Sequence, residues 1–306
     1  MALPTHASTL ERVWHYTYLV LCGLIFLFLI APILIVIPLS FNAEPYFTFT
    51  EKMLKLDPTG YSTRWYDLLL TFGMLEPDAT RDSSWWADAW SNSNWINAAK
   101  NSIIVGFFST LIATSLGTVA ALGLSRPEMP GRRAIMAILI SPMIVPIIIT
   151  ATGLFFFYSS IRIQDWGIPY LGVILAHATL GIPFVIITVT ATLVGFDHSL
   201  TRAAANMGAG PARTFFKIQM PLILPGVISG ALFAFVTSFD EVVVVLFVGG
   251  LDEQTIPRQM WNGIREQISP AILSVATILV IISIALLTVV ELLRRRSERL
   301  RGMSPG

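Results

Sequence analysis

The sequence predicts an all-α integral membrane protein, a bundle of six transmembrane helices. Three observations lead there. Hydrophobic residues make up 54% of the 306 positions and charged residues 13%, with a mean hydropathy of +0.70. A soluble domain carries about a quarter charged residues. The charges are also bunched. Residues 16–43, 101–125, 134–161, 166–196, 218–239 and 267–290 hold no Lys, Arg, Asp or Glu. Each gap exceeds the roughly 20 apolar residues that cross a bilayer. A buried helix of a soluble protein mimics one such gap, not six. Third, the basic residues alternate in side. Arg12, Arg126, Arg132, Arg133, Arg202, Arg213, Lys217, Arg294, Arg295, Arg296, Arg299 and Arg301 fall on one face of a six-span arrangement. Only Arg162, Arg258 and Arg265 fall in the short loops of the other. The positive-inside bias therefore predicts that both termini are cytoplasmic.

Span one is expected at about residues 17–41. Its apolar run is too long for a cleaved leader and no small-residue cleavage site follows, so it is expected to be retained. It holds Cys22, the single cysteine, which excludes an internal disulfide framework. An outer loop follows over residues 42–96. Its part from 71 to 95 is rich in Asp, Ser and Asn and carries Trp85, Trp86, Trp90 and Trp95. Indole favours the headgroup level, so an interfacial segment is the preferred reading; a docking surface for an external partner is the alternative. Span two (98–124) carries Ala113, Gly117 and Ala121 at four-residue spacing, which permits close helix approach. Span three (134–158) contains Pro142 and Pro146, and span four (169–194) contains His177 and Pro183. Proline loosens the backbone ladder, so neighbours or water must satisfy the freed carbonyls. His177 reads either as part of a solute or proton path or as a packed histidine bonded to a neighbouring helix. Span five (222–248) opens on Pro225-Gly226 and holds Gly226 and Gly230 as a GxxxG pair; span six covers 270–293. With no separate soluble region, the chain is expected to form one transmembrane domain over 1–306.

The segment 195–220 between spans four and five carries its own start and stop signals. Ser199 is a good N-cap, and Leu200 to Met207 reads as a short helix. Gly208 suits the left-handed position past its end. Gly210-Pro211 restarts a helix, Phe215, Phe216 and Ile218 give it an apolar face, and Pro221 is expected to end it. A bare connector would not need this punctuation.

Ala203-Ala204, Gly208-Ala209, Phe215, Ile218, Pro221, Pro225 and Gly226 resemble the EAA loop of binding-protein-dependent ABC import permeases. The resemblance extends over nearly the whole chain. It is closest to the spermidine/putrescine permeases of the second-subunit type, through Ser40-Phe41-Asn42, Thr63-Arg64-Trp65-Tyr66, Asn101-Ser102, Gly181-Ile182-Pro183-Phe184, Gly195-Phe196-Asp197 and Ser238-Phe239-Asp240-Glu241-Val242-Val243-Val244. It implies a type I importer permease fold with a cytoplasmic coupling helix. Arg202, Ala203, Ala204, Ala205, Gly208, Ala209, Phe215 and Pro221 would form the contact with an ABC ATPase dimer. Arg202 departs from the family's Glu, which puts an acid-based contact there in doubt. Further implied partners are a second permease subunit, giving a heterodimeric pore, an extracytoplasmic solute-binding protein and membrane lipid, with no nucleic acid. The last outer loop would meet the binding protein, with Trp261 and Arg258 as docking candidates. The chain lacks a GxxxxGK[ST] phosphate loop. ATP and magnesium would therefore sit on the separate ATPase, and no catalytic residue, metal ligand or cofactor is assigned here.

Fourteen acids face eight bases on the outer side. This either concentrates a cationic solute or is the plain complement of the positive-inside bias. Asp240 and Glu241 interrupt span five. Acids in a bilayer need a cavity or a partner, and a water-filled path for a polyamine supplies one, with Thr237 and Ser238 as neutral acceptors. Consecutive helix residues point about 100° apart, so one acid at most faces the path, and Asp240 is preferred. The competing reading places both acids at the aqueous rim. Related permeases carry opines, aminophosphonates or other small amines, which leaves the solute open. An ion-coupled secondary transporter would need mid-membrane coupling groups and inverted halves, and only His177 lies mid-span.

Overall fold

The computed structural model describes residues 8–126, 128–197, 199–266 and 269–300. Every regular element among them is helical: α1 (Thr9–Leu39), α2 (Glu51–Leu54), α3 (Arg64–Thr71), α4 (Ser83–Asn92), α5 (Asn94–Leu124), α6 (Arg132–Ile144), α7 (Ile147–Ser160), α8 (Leu171–Val194), α9 (Ser199–Asn206), α10 (Pro211–Thr214), a π-helical turn (Phe215–Gln219), α11 (Met220–Asp240), α12 (Val243–Val248), α13 (Ile256–Glu266) and α14 (Ala271–Leu300), with two short 3₁₀ turns. Arg301 of the expected cytoplasmic basic cluster lies outside the described residues. Four helices are long and apolar enough to cross a membrane among the described residues, and a fifth crossing results if the bent pair α6–α7 counts as one; Ala271–Ala285 is a shorter apolar helix. The chain divides into two compact units, one within 1–78 and 263–306, the other at 79–262.

In the first unit, α1 starts on a capping box. Ser8 Oγ accepts the Glu11 N–H at 3.3 Å and Glu11 Oε2 accepts the Ser8 N–H at 2.7 Å, so two free donors of the first turn are satisfied. The stretches Ser40-Phe41-Asn42 and Thr63-Arg64-Trp65-Tyr66 meet in space. Ser40 Oγ and Tyr66 Oη lie 2.7 Å apart, and Trp65 Nε1 donates to the Asn42 carbonyl at 2.7 Å. Buried Asn42 in turn donates to the carbonyls of Tyr46 and Thr48 at 2.9 and 3.0 Å.

The second unit is built on α5, α8 and α11. Contact positions advance together along α5 and α8: a Cβ on Gly181 would lie 3.1 Å from Ala113 Cβ, and one on Gly117 would lie 2.7 Å from Val185 Cβ. These two helices are therefore parallel. Helix α11 runs against both, with Gly230 facing Val185 and Gly226 facing Thr188 and Thr192. The small-residue positions are thus the packing seams: Ala113, Gly117, Ala121, Gly226 and Gly230 are all buried. The core between them holds Val185, Val189, Leu193, Ile223 and Val227.

Because α5 and α8 are parallel, α6 and α7 must return the chain along the bundle. They do so with a bend of 102° rather than as one straight span over 134–158. Pro146 stands at the N-cap of α7 and forces Val145 into an extended conformation, φ −70° and ψ 134°.

Candidate functional site

The two ends of the second unit carry the two groups of residues singled out by sequence. At one end, α5 and α8 finish and α11 begins, and here lies the segment 195–220. Asp197 Oδ1 accepts the Ser199 N–H at 2.8 Å and Oδ2 accepts the Ser199 hydroxyl at 2.6 Å. The acceptor that starts α9 is therefore Asp197 rather than the expected Ser199, and an acid suits the positive helix N-terminus. At the far end Gly208 adopts φ +81°, its N–H bonds to the Ala205 carbonyl at 2.9 Å, and the Ala209 N–H bonds to the Ala204 carbonyl at 3.0 Å. This is a Schellman closure. Pro211 then opens α10 as the sequence suggests.

The expected stop at Pro221 is absent. The chain runs through the π-helical turn Phe215–Gln219 directly into α11, with Pro221 in its first turn. Proline breaks a helix by its missing donor and its ring; here it follows directly on the π-helical turn, whose wider spacing has already interrupted the regular ladder. Ala204 and Thr214 are buried, and Phe215 packs against the bundle core, while Arg202, Ala203, Ala205, Met207, Gly208, Phe216 and Pro221 are exposed and Ala209 is half-buried. One face of the segment is fixed to the helices and the other is open.

At the opposite end, α11 stops at Asp240. The expected continuous span over 222–248 is two pieces, since Glu241 is extended at φ −78° and ψ 123° and α12 begins two residues later. Glu241 Oε1 accepts the Val244 N–H at 3.0 Å and so caps α12. Asp240 is exposed, and its carboxylate accepts no hydrogen bond from the described residues. The two neighbouring acids thus have different environments, one spent on the backbone and one open.

Thr237 is half-buried. Ser238 is buried in a polar cluster that joins the three central helices: His177 Nδ1 lies 2.8 Å from Ser238 Oγ, and Ser109 Oγ donates to it at 2.9 Å. His177 is 1% exposed. This is the packed arrangement with a neighbouring helix, and it leaves Ser238 little capacity for a solute.

Beyond α12 the chain is strapped back onto the bundle. Asn101 Nδ2 donates to the carbonyls of Asp252 and Gln254 at 2.8 and 2.9 Å, and its Oδ1 accepts from Tyr170 Oη at 2.8 Å. Ser102 Oγ accepts the Ile256 N–H at 2.8 Å. Arg258 Nη1 reaches the carbonyls of Val245, Gly249 and Gly250 at 3.2, 3.0 and 2.9 Å. Burial lowers its pKa, with Glu253 opposing. Arg258 therefore braces the loop, whereas Trp261, the other docking candidate, is 43% exposed. Glu253 Oε1 also accepts the Tyr170 N–H at 2.9 Å, and sequence reasoning missed Asn101, Tyr170 and Glu253 as strap residues because their partners lie 69–153 positions away.

Residues 113–301 match the family described as binding-protein-dependent transport system inner membrane component. The chain is 29% identical over 274 residues to the spermidine/putrescine transport system permease protein PotC of Haemophilus influenzae, covering 90% of this chain and 95% of that one. It is 30% identical over 259 residues to the putrescine transport system permease protein PotI of Escherichia coli K12, covering 83% and 82%. Its fold matches a chain of a bacterial ABC transporter involved in the import of the acidic polysaccharide alginate, with a TM-score of 0.66 at 17% identity over 94% of this chain and 99% of the other.

Proposed function

The chain belongs to the family of inner membrane components of binding-protein-dependent transport systems, and from that premise we propose that it is the polyamine-conducting permease subunit of an ATP-driven importer. The observation that carries the solute class is the similarity to PotC and PotI, which spans most of the chain. The exposed carboxylate of Asp240 supports it, because separated ammonium groups pair well with carboxylates.

An extracytoplasmic binding protein delivers the solute, and a second permease subunit completes the pore. Six spans place both termini in the cytoplasm. The open face of α9, with Arg202, Ala203, Ala205 and Met207, seats in a cytoplasmic ATPase dimer, which holds ATP and magnesium. Ala204, Thr214 and Phe215 hold that contact to the bundle, so closure of the ATPase dimer moves the helices. Asp240 faces the solute path, while Glu241 and Ser238 maintain local structure. Trp261 and its surroundings meet the binding protein.

The test is uptake of labelled spermidine by source cells lacking this chain, complemented with wild type or Asp240→Asn. Putrescine, amino acids, an opine and an aminophosphonate serve as competitors. Restoration by wild type, weakening by Asp240→Asn and competition by polyamines are expected. No restored uptake from a chain expressed with its partners would remove the polyamine assignment, and the competitors that do block transport would then define the solute.

A further inference from the structure

The tryptophan-rich helix α4 is amphipathic in an unusual sense. Trp85 and Ala89 are buried, at 2% and 0% exposure, whereas Trp86 and Trp90 are 52% and 63% exposed. Residues four apart share a face of a helix, so Trp86 and Trp90 form one outward indole surface. The helix is held rigidly. Asp82 Oδ1 accepts the N–H groups of Ser84 and Trp85 at 2.9 and 3.0 Å, and the single residue Ser93 separates α4 from α5.

What covers that surface follows from its junction with α5. Lys100 Nζ donates to the Trp90 carbonyl at 2.6 Å and lies 4.8 Å from the centre of the Trp90 ring. Trp90 is thereby fixed at the level of Lys100. From Lys100 the same face of α5 continues as Ile103, Phe107 and Leu111, all more than half exposed, while Asn101, Ser102, Val105 and Ser109 point into the bundle. The stretch from Ile103 to Leu124 carries no charge. At 1.5 Å per residue it is about 33 Å long, close to the roughly 30 Å hydrocarbon core of a bilayer. Ser125 and Arg126 follow at its other end. With α5 across a bilayer, the boundary of the hydrocarbon would fall between Lys100 and Ile103, and the indole surface of α4 would lie beside the head of the exposed stripe of α5.

We propose that α4 is a membrane-surface anchor. Trp86 and Trp90 insert at the headgroup level, and the Lys100 ammonium, with one N–H held by Trp90, turns its others to phospholipid phosphate. The partner is the lipid surface itself, and the effect is to fix the depth of α5. The inference rests on α5 crossing the bilayer and is independent of which solute is carried.

The full chain with its partner subunits, reconstituted in nanodiscs of phosphatidylethanolamine and phosphatidylglycerol, tests it by tryptophan fluorescence. A fraction of the lipid carries bromine either near the headgroup or near the chain end. The emission assigned to α4 is the difference between wild type and the variant with Trp86→Phe and Trp90→Phe; each single variant gives the same comparison if the double one fails to assemble. Loss of this emission with shallow bromines, and less loss with deep ones, is expected. Quenching by aqueous iodide with no effect of either brominated lipid would overturn the proposal. So would iodide quenching that disappears on adding the purified binding protein, which would make α4 a protein-docking surface.

Discussion

Ser238 and Asp240 lie two residues apart and have opposite fates, and the difference is testable at single side chains. Ser238→Ala leaves His177 Nδ1 and Ser109 Oγ without their shared partner inside the bundle. A buried polar group stripped of its partner costs about 1–3 kcal/mol. Thermal unfolding of the purified complex should show that loss, while the pattern of competing solutes stays as in wild type. A changed solute preference would instead place Ser238 in the path. Asp82 makes a pH prediction. The Ser84 hydroxyl first, then the Trp85 N–H, hold its carboxyl below the ordinary range. Its folded pKa is depressed, so its contribution is present above the unfolded value of about 3.9 and is lost as pH falls through the folded one. Helix α4 should therefore loosen on acidification below pH about 4, seen as a change in tryptophan emission. Asp82→Ala should show the loosened state already at neutral pH and no acid step in this helix.

At the scale of elements, glycines with different surroundings should respond differently to alanine. Gly208 holds φ +81°, a conformation that costs an L-residue about 1–2 kcal/mol. Gly208→Ala should speed amide exchange over 199–209 and lower uptake. A Cβ at Gly230 would lie 2.8 Å from Val185 Cα, and such overpacking costs about 1–3 kcal/mol, read as a lower melting temperature. Gly153→Ala in α7 has nothing within 4 Å of the new carbon and should be neutral or slightly stabilising. The same contrast explains what was legible in the sequence. Gly208 and Pro211 announce themselves because a cap or a first turn is decided by residues within one turn. Ala113, Gly117, Gly226 and Gly230 do so because close helix approach needs small residues at fixed spacing. The π-helical turn was hidden: Pro221 without a break before it is compatible with a stop as well as with a first turn. The capping role of Glu241 had a faint signal, an acid three residues before Val244 at the head of an apolar run. Asn101 and Tyr170 had none, because hydrogen bonds across dozens of residues depend on helix register in three dimensions.

For the whole molecule, composition and charge gaps foretold a membrane bundle, and membership of the transport family agrees with them. They did not foretell that α6 and α7 return the chain through a 102° bend, since Pro142 and Pro146 mark a weak point without fixing its angle. The arginine asymmetry makes a topological prediction. Reporters fused at either terminus should be active only in the cytoplasm, and one inserted between α7 and α8 only outside. A reversed pattern at the second site would show that the bent pair does not cross. The π-helical turn has one more consequence. It joins α10 to α11, whose other end carries Asp240, in one continuous helix over Pro211–Asp240, while α9 is set apart by the closure at Gly208. Such a turn contains one residue more than α-helical winding needs. Removing Phe216, which is 67% exposed, would let this helix wind evenly as α-helix through about the same rotation, because the π-helical turn absorbs its extra residue within one turn. Removing Leu232 from the regular part of α11 would instead turn everything before it by about 100° and draw it in by about 1.5 Å. The regular winding on either side of the π-helical turn therefore sets the clock position of α10 relative to Asp240. A chain without Phe216 is expected to insert and still transport, whereas one without Leu232 is expected to insert in the membrane and yet transport nothing, like a key cut correctly and mounted a quarter-turn out on its shaft.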